Sequence, residues 1–260
     1  PYPPMETAFA EAYLAPVSPT AVETLGNTGF AQAPVGTGPF RFVRWDAGEQ
    51  VVMERFEDYD WAPDFYENEG PSQVARVVHR FVPNASTRVA ALETGEVTMV
   101  DLTPPLDLRR LADSPEFDTV AGTVSGLPYS LMFNTSKFPL DDVRVRQALI
   151  KSVDRSRLAE NLFWGYSNPA YGVLSSATPN YWEGVEEYYP YDPEGAAALL
   201  EEAGWTRGDD GIWEKDGQDL SVHALSMLEP DTGVAIQSAL RDNGIVYDIE
   251  NVTKARQIGR

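Results

Sequence analysis

The stretch Asn134-Thr135-Ser136-Lys137-Phe138-Pro139-Leu140-Asp141-Asp142-Val143-Arg144-Val145-Arg146-Gln147-Ala148-Leu149-Ile150-Lys151, continuing to Asp154-Arg155, constrains the fold more than any other part of the chain. Pro139 lacks a backbone N–H and its ring clashes with a preceding turn, so a helix must begin after it. Asp141 or Asp142 is placed to cap the free N–H groups of the first turn, at the favourable end of the helix dipole. Val145, Ala148, Leu149, Ser152 and Val153 fall at i, i+3, i+4, i+7 and i+8 and form one narrow apolar face. Arg144, Gln147 and Lys151 fall elsewhere and stay in water. Asp154 then caps a second helix that carries Leu158 and Leu162.

The remaining segments alternate between strand and helix patterns. Ala8, Ala12 and Leu14 lie in a helix-compatible stretch that Pro16 and Pro19 interrupt. Ser18 or Thr20 can cap a short helix through Ala21, Val22 and Leu25, ended by Gly26-Asn27 and Gly29. Gly36-Thr37-Gly38-Pro39 is a turn, without the Lys-Ser/Thr ending and following helix of a phosphate loop. Phe40 to Trp45, Asp46-Ala47-Gly48-Glu49 and Val51 to Phe56 spell a β-hairpin. An acidic, aromatic loop follows to Gly70. Val74 to Val82 is predicted as a strand, residues 85–94 as a helix closed by Gly95, and Val97 to Leu102 as a strand; such units ordinarily make parallel pairs. Pro104-Pro105 opens a short helix through Leu108 and Leu111. Phe117 to Val124 and Tyr129 to Phe133 read as strands with Gly126 and Pro128 between them. Asp192 caps a helix through Ala196, Leu199, Leu200 and Ala203, ended by Gly204. Ile212 to Lys215 and Leu220 to Met227 form a hairpin about Asp216-Gly217. Asp231 to Asn243 is a helix and Ile245 to Val252 a strand, a second strand–helix–strand unit. The fold class is α/β, in two lobes.

Charge narrows the partners. Forty acidic residues face 20 basic ones, for a net charge of −20, and only four of the basic residues are Lys. Such a surface repels nucleic acid and anionic lipid, both of which need clustered cations. Salt shortens the range of its self-repulsion, so the sequence suits a halophile as well as an ordinary acidic protein. With no cysteine, disulfides, thiolate metal sites and cysteine nucleophiles are excluded. No run of apolar residues is long enough to span a bilayer.

No arrangement of residues announces catalysis. The two histidines, His79 and His223, fall in separate predicted strands without metal-ligand spacing. Asp141-Asp142, Glu186-Glu187, Glu201-Glu202 and Asp209-Asp210 are adjacent pairs, and adjacent carboxylates rarely face each other across a cleft as glycoside hydrolysis requires. No nucleophile elbow or dinucleotide fingerprint is present. The chain is therefore read as a non-enzyme with no metal and no cofactor. The best binding candidate is an aromatic belt from Phe163 to Tyr191, whose rings either pack the lobe or wall a pocket. Trp164, Tyr171 and Trp182 are the candidates within it. Arg144 and Arg146 either pair with nearby acids or anchor an anionic ligand.

Four stretches, in order, resemble the family 5 extracellular solute-binding proteins, the dipeptide-, oligopeptide- and nickel-binding components of ABC importers. They are Pro34-Val35-Gly36-Thr37-Gly38-Pro39-Phe40; Pro83-Asn84-Ala85-Ser86-Thr87-Arg88 with Leu92 and Gly95-Glu96-Val97; the stretch from Phe133-Asn134 to Asp154-Arg155; and Tyr191-Asp192-Pro193-Glu194 with Ala203-Gly204-Trp205. The resemblance implies part of a type II periplasmic-binding-protein-like fold, two lobes with a hinge crossover. It places the tail of a small accessory domain in residues 1–35, part of the first lobe in 36–125 and part of the second in 126–260. Tyr129 and Asn134 join the ligand-binding candidates, because a crossover strand passes beside the cleft. The implied partners are a peptide or other small solute and the permease subunits of an ABC transporter. The implied protein is an extracellular or periplasmic monomer, anchored to the membrane through a segment before residue 1. Members are much longer, so this chain is expected to be an internal fragment with only part of the pocket. The alternatives are a secreted hydrolase of glycans or peptides and a ligand sensor without a transport role.

Overall fold

The computed structural model of the chain describes residues 14–226 and 230–252. The predicted helical stretch at Ala8 and Ala12 and the Met227 end of a predicted strand lie outside the described residues. Contacts divide the chain into two compact units, Pro1–Leu102 and Thr103–Arg260.

The first unit begins with helix α1 (Pro19–Gln32), capped by the Ser18 hydroxyl, which accepts from the Ala21 N–H. Gly26, at φ 64° and ψ 171°, leaves the helical region, so the span is two helices joined at a kink, the second running on to Gln32. The first helix thus stops at Gly26 as expected, where a residue without a Cβ takes positive φ at little cost, but the helical stretch continues past Gly29. Strands β1 (Phe40–Asp46), β2 (Gln50–Arg55) and β3 (Arg76–Arg80) form one antiparallel sheet in that order. The hairpin is the predicted one, with a bulge between Phe42 and Arg44 that offsets its register. Val52 is buried at the centre of the sheet. Helix α2 (Ala85–Glu93) follows, capped by the Asn84 side chain, which accepts from the Thr87 N–H at 2.9 Å. The parallel strand–helix–strand unit expected over Val74 to Leu102 does not form. β3 pairs antiparallel with β2, and residues 97–102 form no ladder with any described strand. A β-branched run becomes a strand only when a neighbour offers it hydrogen bonds.

The second unit opens with α3 (Pro105–Ala112), started by Pro104-Pro105 as predicted. Helix α4 (Val143–Lys151) is capped by Asp142, whose carboxylate accepts from the Arg144 N–H at 2.9 Å. Helix α5 (Arg155–Phe163) is capped by Asp154 through the Arg157 N–H. A 3-10 turn (Glu183–Glu187) leads to α6 (Pro193–Glu202), capped by Asp192 through the Gly195 N–H. β4 (Thr206–Arg207), β5 (Trp213–Lys215) and β6 (Gln218–Asp219) form a small antiparallel sheet. Asp216 and Gly217 both have positive φ, as a tight two-residue hairpin turn requires. The return strand of this hairpin is Gln218–Asp219 and not the expected Leu220 to Met227. After Asp219 the chain crosses at the fully buried Leu220 into β7 (Ser221–Ser226) of a different sheet. Helix α7 (Pro230–Asp242) then returns the chain to β8 (Val246–Asn251), parallel to β7 in the register Ser221 to Val246, as the pattern predicted.

The core of this unit is where the sequence placed it. Val145, Ala148 and Leu149 of α4 meet Ala196 and Leu200 of α6, Trp205 and Trp213, and Leu240, Ile245 and Tyr247 of the parallel unit. Ser152 is buried on the same face and donates its hydroxyl to the Ala148 carbonyl at 2.8 Å. By contrast, Phe117 to Val124 and Tyr129 to Phe133 are not strands among the described residues. Val120, Val124, Tyr129 and Met132 are each more than four-fifths exposed.

Candidate functional site

The aromatic belt is fastened to the N-terminus of α5 by one arginine. Asp154 ends the preceding turn and caps the helix, which places Arg155 at its first position. The Arg155 guanidinium donates to the carbonyls of Ala170 and Tyr189, near the two ends of the belt. It also lies over the Tyr171 ring, 4.7 Å from its centre, where a cation meets the negative face of the aromatic system. Burial pulls the Arg155 guanidinium below its ordinary pKa, an effect that the neighbouring Tyr171 opposes. The Tyr171 hydroxyl and Ser156 Oγ are 2.8 Å apart. At the far end, Asp192 receives the Lys151 ammonium at 2.9 Å, which holds its carboxyl below the usual range.

Asp154, Arg155, Ser156 and Tyr171 line an open depression of about 240 Å³. Tyr191 and Pro190 line it with them, and Asp154, Glu186 and Glu187 bring carboxylates to it. Tyr181 donates to Glu186 at 3.3 Å, and partial burial together with that carboxylate raises its phenol pKa. The depression joins aromatic surface, hydrogen-bonding hydroxyls and both signs of charge, which suits a polar solute with an apolar portion.

Of the five residues proposed for ligand binding, Tyr171 lines this depression. Trp182 is 63% exposed and packs edge-on against Tyr188, 5.7 Å away. Trp164 caps α5 in the left-handed region at φ 52°, with the Arg109 guanidinium 5.1 Å from its ring. Tyr129 is 87% exposed. Asn134 is exposed, and its side-chain oxygen is taken up locally by the Ser136 N–H and hydroxyl. No contact among the described residues joins Tyr129, Asn134, Trp164 and Trp182 into one site. Sequence reasoning passed over Arg155 and Ser156, and set Glu186 aside as one of an adjacent carboxylate pair. The signal for Arg155 was available in principle: a cation beside a helix cap and followed by an aromatic belt.

The remaining candidates take structural positions. Arg144 pairs with Asp142 at 2.6 Å and reaches Glu202 at 3.7 Å. Arg146 donates to the carbonyls of Leu140 and Asp141. His79 is exposed on β3, edge-on to Phe81. His223 is exposed on β7, with Nδ1 2.9 Å from Asp248 and Nε2 3.6 Å from Glu250. No group of three or more metal-ligating side chains converges among the described residues.

The sequence profile described as bacterial extracellular solute-binding proteins, family 5, middle region, matches residues 1–259. The chain belongs to this family. Among family 5 relatives, the heme-binding protein A of Haemophilus influenzae is 34% identical over 175 residues, 67% of this chain and 30% of that protein. The glutathione-binding protein GsiB of Pectobacterium atrosepticum is 32% identical over 235 residues, 88% of this chain and 43% of that protein. The fold is shared with solved structures. The periplasmic binding protein DppA from Helicobacter pylori, in complex with the peptide STSA, superposes with a TM-score of 0.74 at 25% identity, covering 98% of this chain and 47% of that one. NikA from Brucella suis, in complex with Fe(III)-EDTA, gives 0.73 at 25% identity, covering 88% and 46%. The chain thus spans less than half the length of these relatives, and its fold is part of a type II periplasmic binding protein.

Proposed function

We propose that this chain is part of the substrate-binding protein of an ABC importer, which captures a peptide or similar small solute and hands it to a membrane permease. The observation that carries this reading is the family match over residues 1–259. Relatives that bind glutathione, dipeptides and heme give it a range of solutes. The family consists of binding proteins, so no chemical step is assigned and the hydrolase reading falls away. In this reading two lobes close over the solute, and the solute stabilises the closed state by binding it better than the open one. Tyr129, Asn134, Trp164, Tyr171 and Trp182 remain the proposed contacts. Tyr171, which lines the depression with Arg155 over its ring, has the most support. The protein is proposed to be an extracellular or periplasmic monomer, anchored by a segment outside this chain and adapted to salt.

Thermal-shift screening of the full-length protein tests the reading, with dipeptides to pentapeptides, glutathione, heme and nickel–histidine as probes. A solute at about 100 times its Kd adds about 2.7 kcal/mol to the stability of a one-site protein. The expected result is a rise in Tm with at least one of these solutes, and a much smaller rise for the 260-residue chain alone. No rise with any of them, together with cleavage of peptides or chromogenic glycosides, would contradict it.

A further inference from the structure

The segment between α3 and α4 has no strand partner among the described residues, yet at one point it is firmly held. Gly126 adopts φ 101°, a conformation that side-chain-bearing residues rarely take. That turn presents both backbone polar groups of Gly126 to the aromatic belt. Its N–H donates to Thr178 Oγ1 at 2.8 Å, and its carbonyl accepts from the Ser175 N–H at 2.8 Å. Ser175 Oγ donates to the Val124 carbonyl at 2.6 Å and is 3.3 Å from Thr178 Oγ1. One turn of belt away, Asn168 donates to the Thr123 hydroxyl at 3.1 Å. Ser175 is one of three buried polar residues among the described residues, 6% exposed, and its hydroxyl is committed to this contact. The residues on either side are exposed, Val120 at 95% and Tyr129 at 87%.

We propose that Ser175 and Thr178 are positioning residues: a pair of hydroxyls that fixes Val124 and Gly126 to the belt and so sets where the following segment presents Tyr129. The physical basis is that a backbone carbonyl and N–H at a turn have few ways to be satisfied, and two hydroxyls fixed by their own loop select one of them. The belt loop is itself set, since Thr178 donates its N–H to the Ser175 carbonyl and Tyr181 donates to that of Thr178. Tyr171 and Tyr129 would then share one frame, because the loop that carries the first also holds the chain that leads to the second. The inference deepens the solute-binding reading and rests on it for the role of Tyr129.

Electron spin resonance distances in the full-length protein test the clamp without any solute. The 260 residues carry no cysteine, so labels go to Ser130→Cys and Glu201→Cys, both on exposed positions. A control pair uses Glu160→Cys and Glu201→Cys, on α5 and α6. The expected result is a narrow distribution for the first pair in the parent and in Thr178→Ser, and at least a doubled width in Thr178→Val and in Ser175→Ala. The control pair should stay narrow in all four. An unchanged width in Thr178→Val and Ser175→Ala would overturn the proposal. So would equal broadening in Thr178→Ser, which keeps the hydroxyl, or equal broadening of the control pair, which would reduce the clamp to general stability. Solute capture by the parent is a separate measurement, so failure of the clamp and failure of the solute-binding reading are told apart.

Discussion

Two regions of the second unit obey different rules. In the first, α4 and α6 pack with β7, α7 and β8 around Trp205, Trp213, Leu220 and Ile245, all close to fully buried. In the second, residues 117–133 expose Val120, Val124, Tyr129 and Met132 and are held through Thr123, Val124 and Gly126 by the side chains of the belt. The first region supplies its own partners, so apolar burial stabilises it at roughly 25 cal/mol per Å² of apolar surface. The second has strand-like composition and no strand to pair with, so polar contacts at a single turn fix it instead. Hydrophobic content alone therefore does not make a core; a complementary surface within reach does.

The largest effect expected from breaking this contrast is in the core. Leu200→Ala removes a side chain 1% exposed and should lower stability by about 2–5 kcal/mol, read from urea unfolding. Tyr129→Ala, at the other extreme, should change it by less than about 0.5 kcal/mol. A comparable loss in the two would erase the distinction. Next comes Gly126→Ala, which forces a Cβ into φ 101° and should cost about 1–3 kcal/mol. Because no atom lies near the added Cβ, that cost would report backbone conformation and not crowding.

A smaller effect sharpens how the core helix is started. Asp142→Ala removes the α4 cap and should cost about 1 kcal/mol at neutral pH. The hydrogen bonds from Arg144 hold the Asp142 carboxyl below its ordinary pKa. A depressed carboxyl adds stability above its unfolded value, near 3.9, and loses it as pH falls through the lower folded value. The parent should therefore lose stability more steeply below about pH 4 than Asp142→Asn, which keeps a capping oxygen without the charge. Equal slopes in acid urea titrations would count against the ion pair. The net charge of −20 predicts a further shift. Unfolding midpoints should rise from low to molar KCl as self-repulsion is screened, and a flat or falling curve would reject adaptation to salt.

Much of the fold could be read from residues that carry their own instructions. Pro139 and the aspartates after it announced α4, Asp154 and Asp192 announced two further caps, and Asp216-Gly217 announced a hairpin turn. These signals are local, so no distant partner was needed to interpret them. Val74 to Leu102 failed for the opposite reason. Its β-branched runs specify extended backbone but not which neighbour, and β3 paired backward onto β2. The same gap explains the strands expected over residues 117–133. Local pattern had no access to Arg109 lying over Trp164, or to Ser175 and Thr178 gripping residues about fifty positions earlier in the chain. At the candidate site, the belt was visible as a density of rings, and Tyr171 was named from it. Arg155 was not, although a cation beside the Asp154 cap and ahead of the belt was there to read; its hydrogen bonds go to backbone carbonyls, which no residue type marks.

Native mass spectrometry of the full-length protein, purified without denaturation and incubated with the solute it carries, is the most direct test of a receptor that binds without reacting. The account predicts an adduct equal in mass to one intact solute, unchanged after incubation and released whole on unfolding. A protein that carries no small molecule, or one that turns its solute into products of different mass, would contradict it.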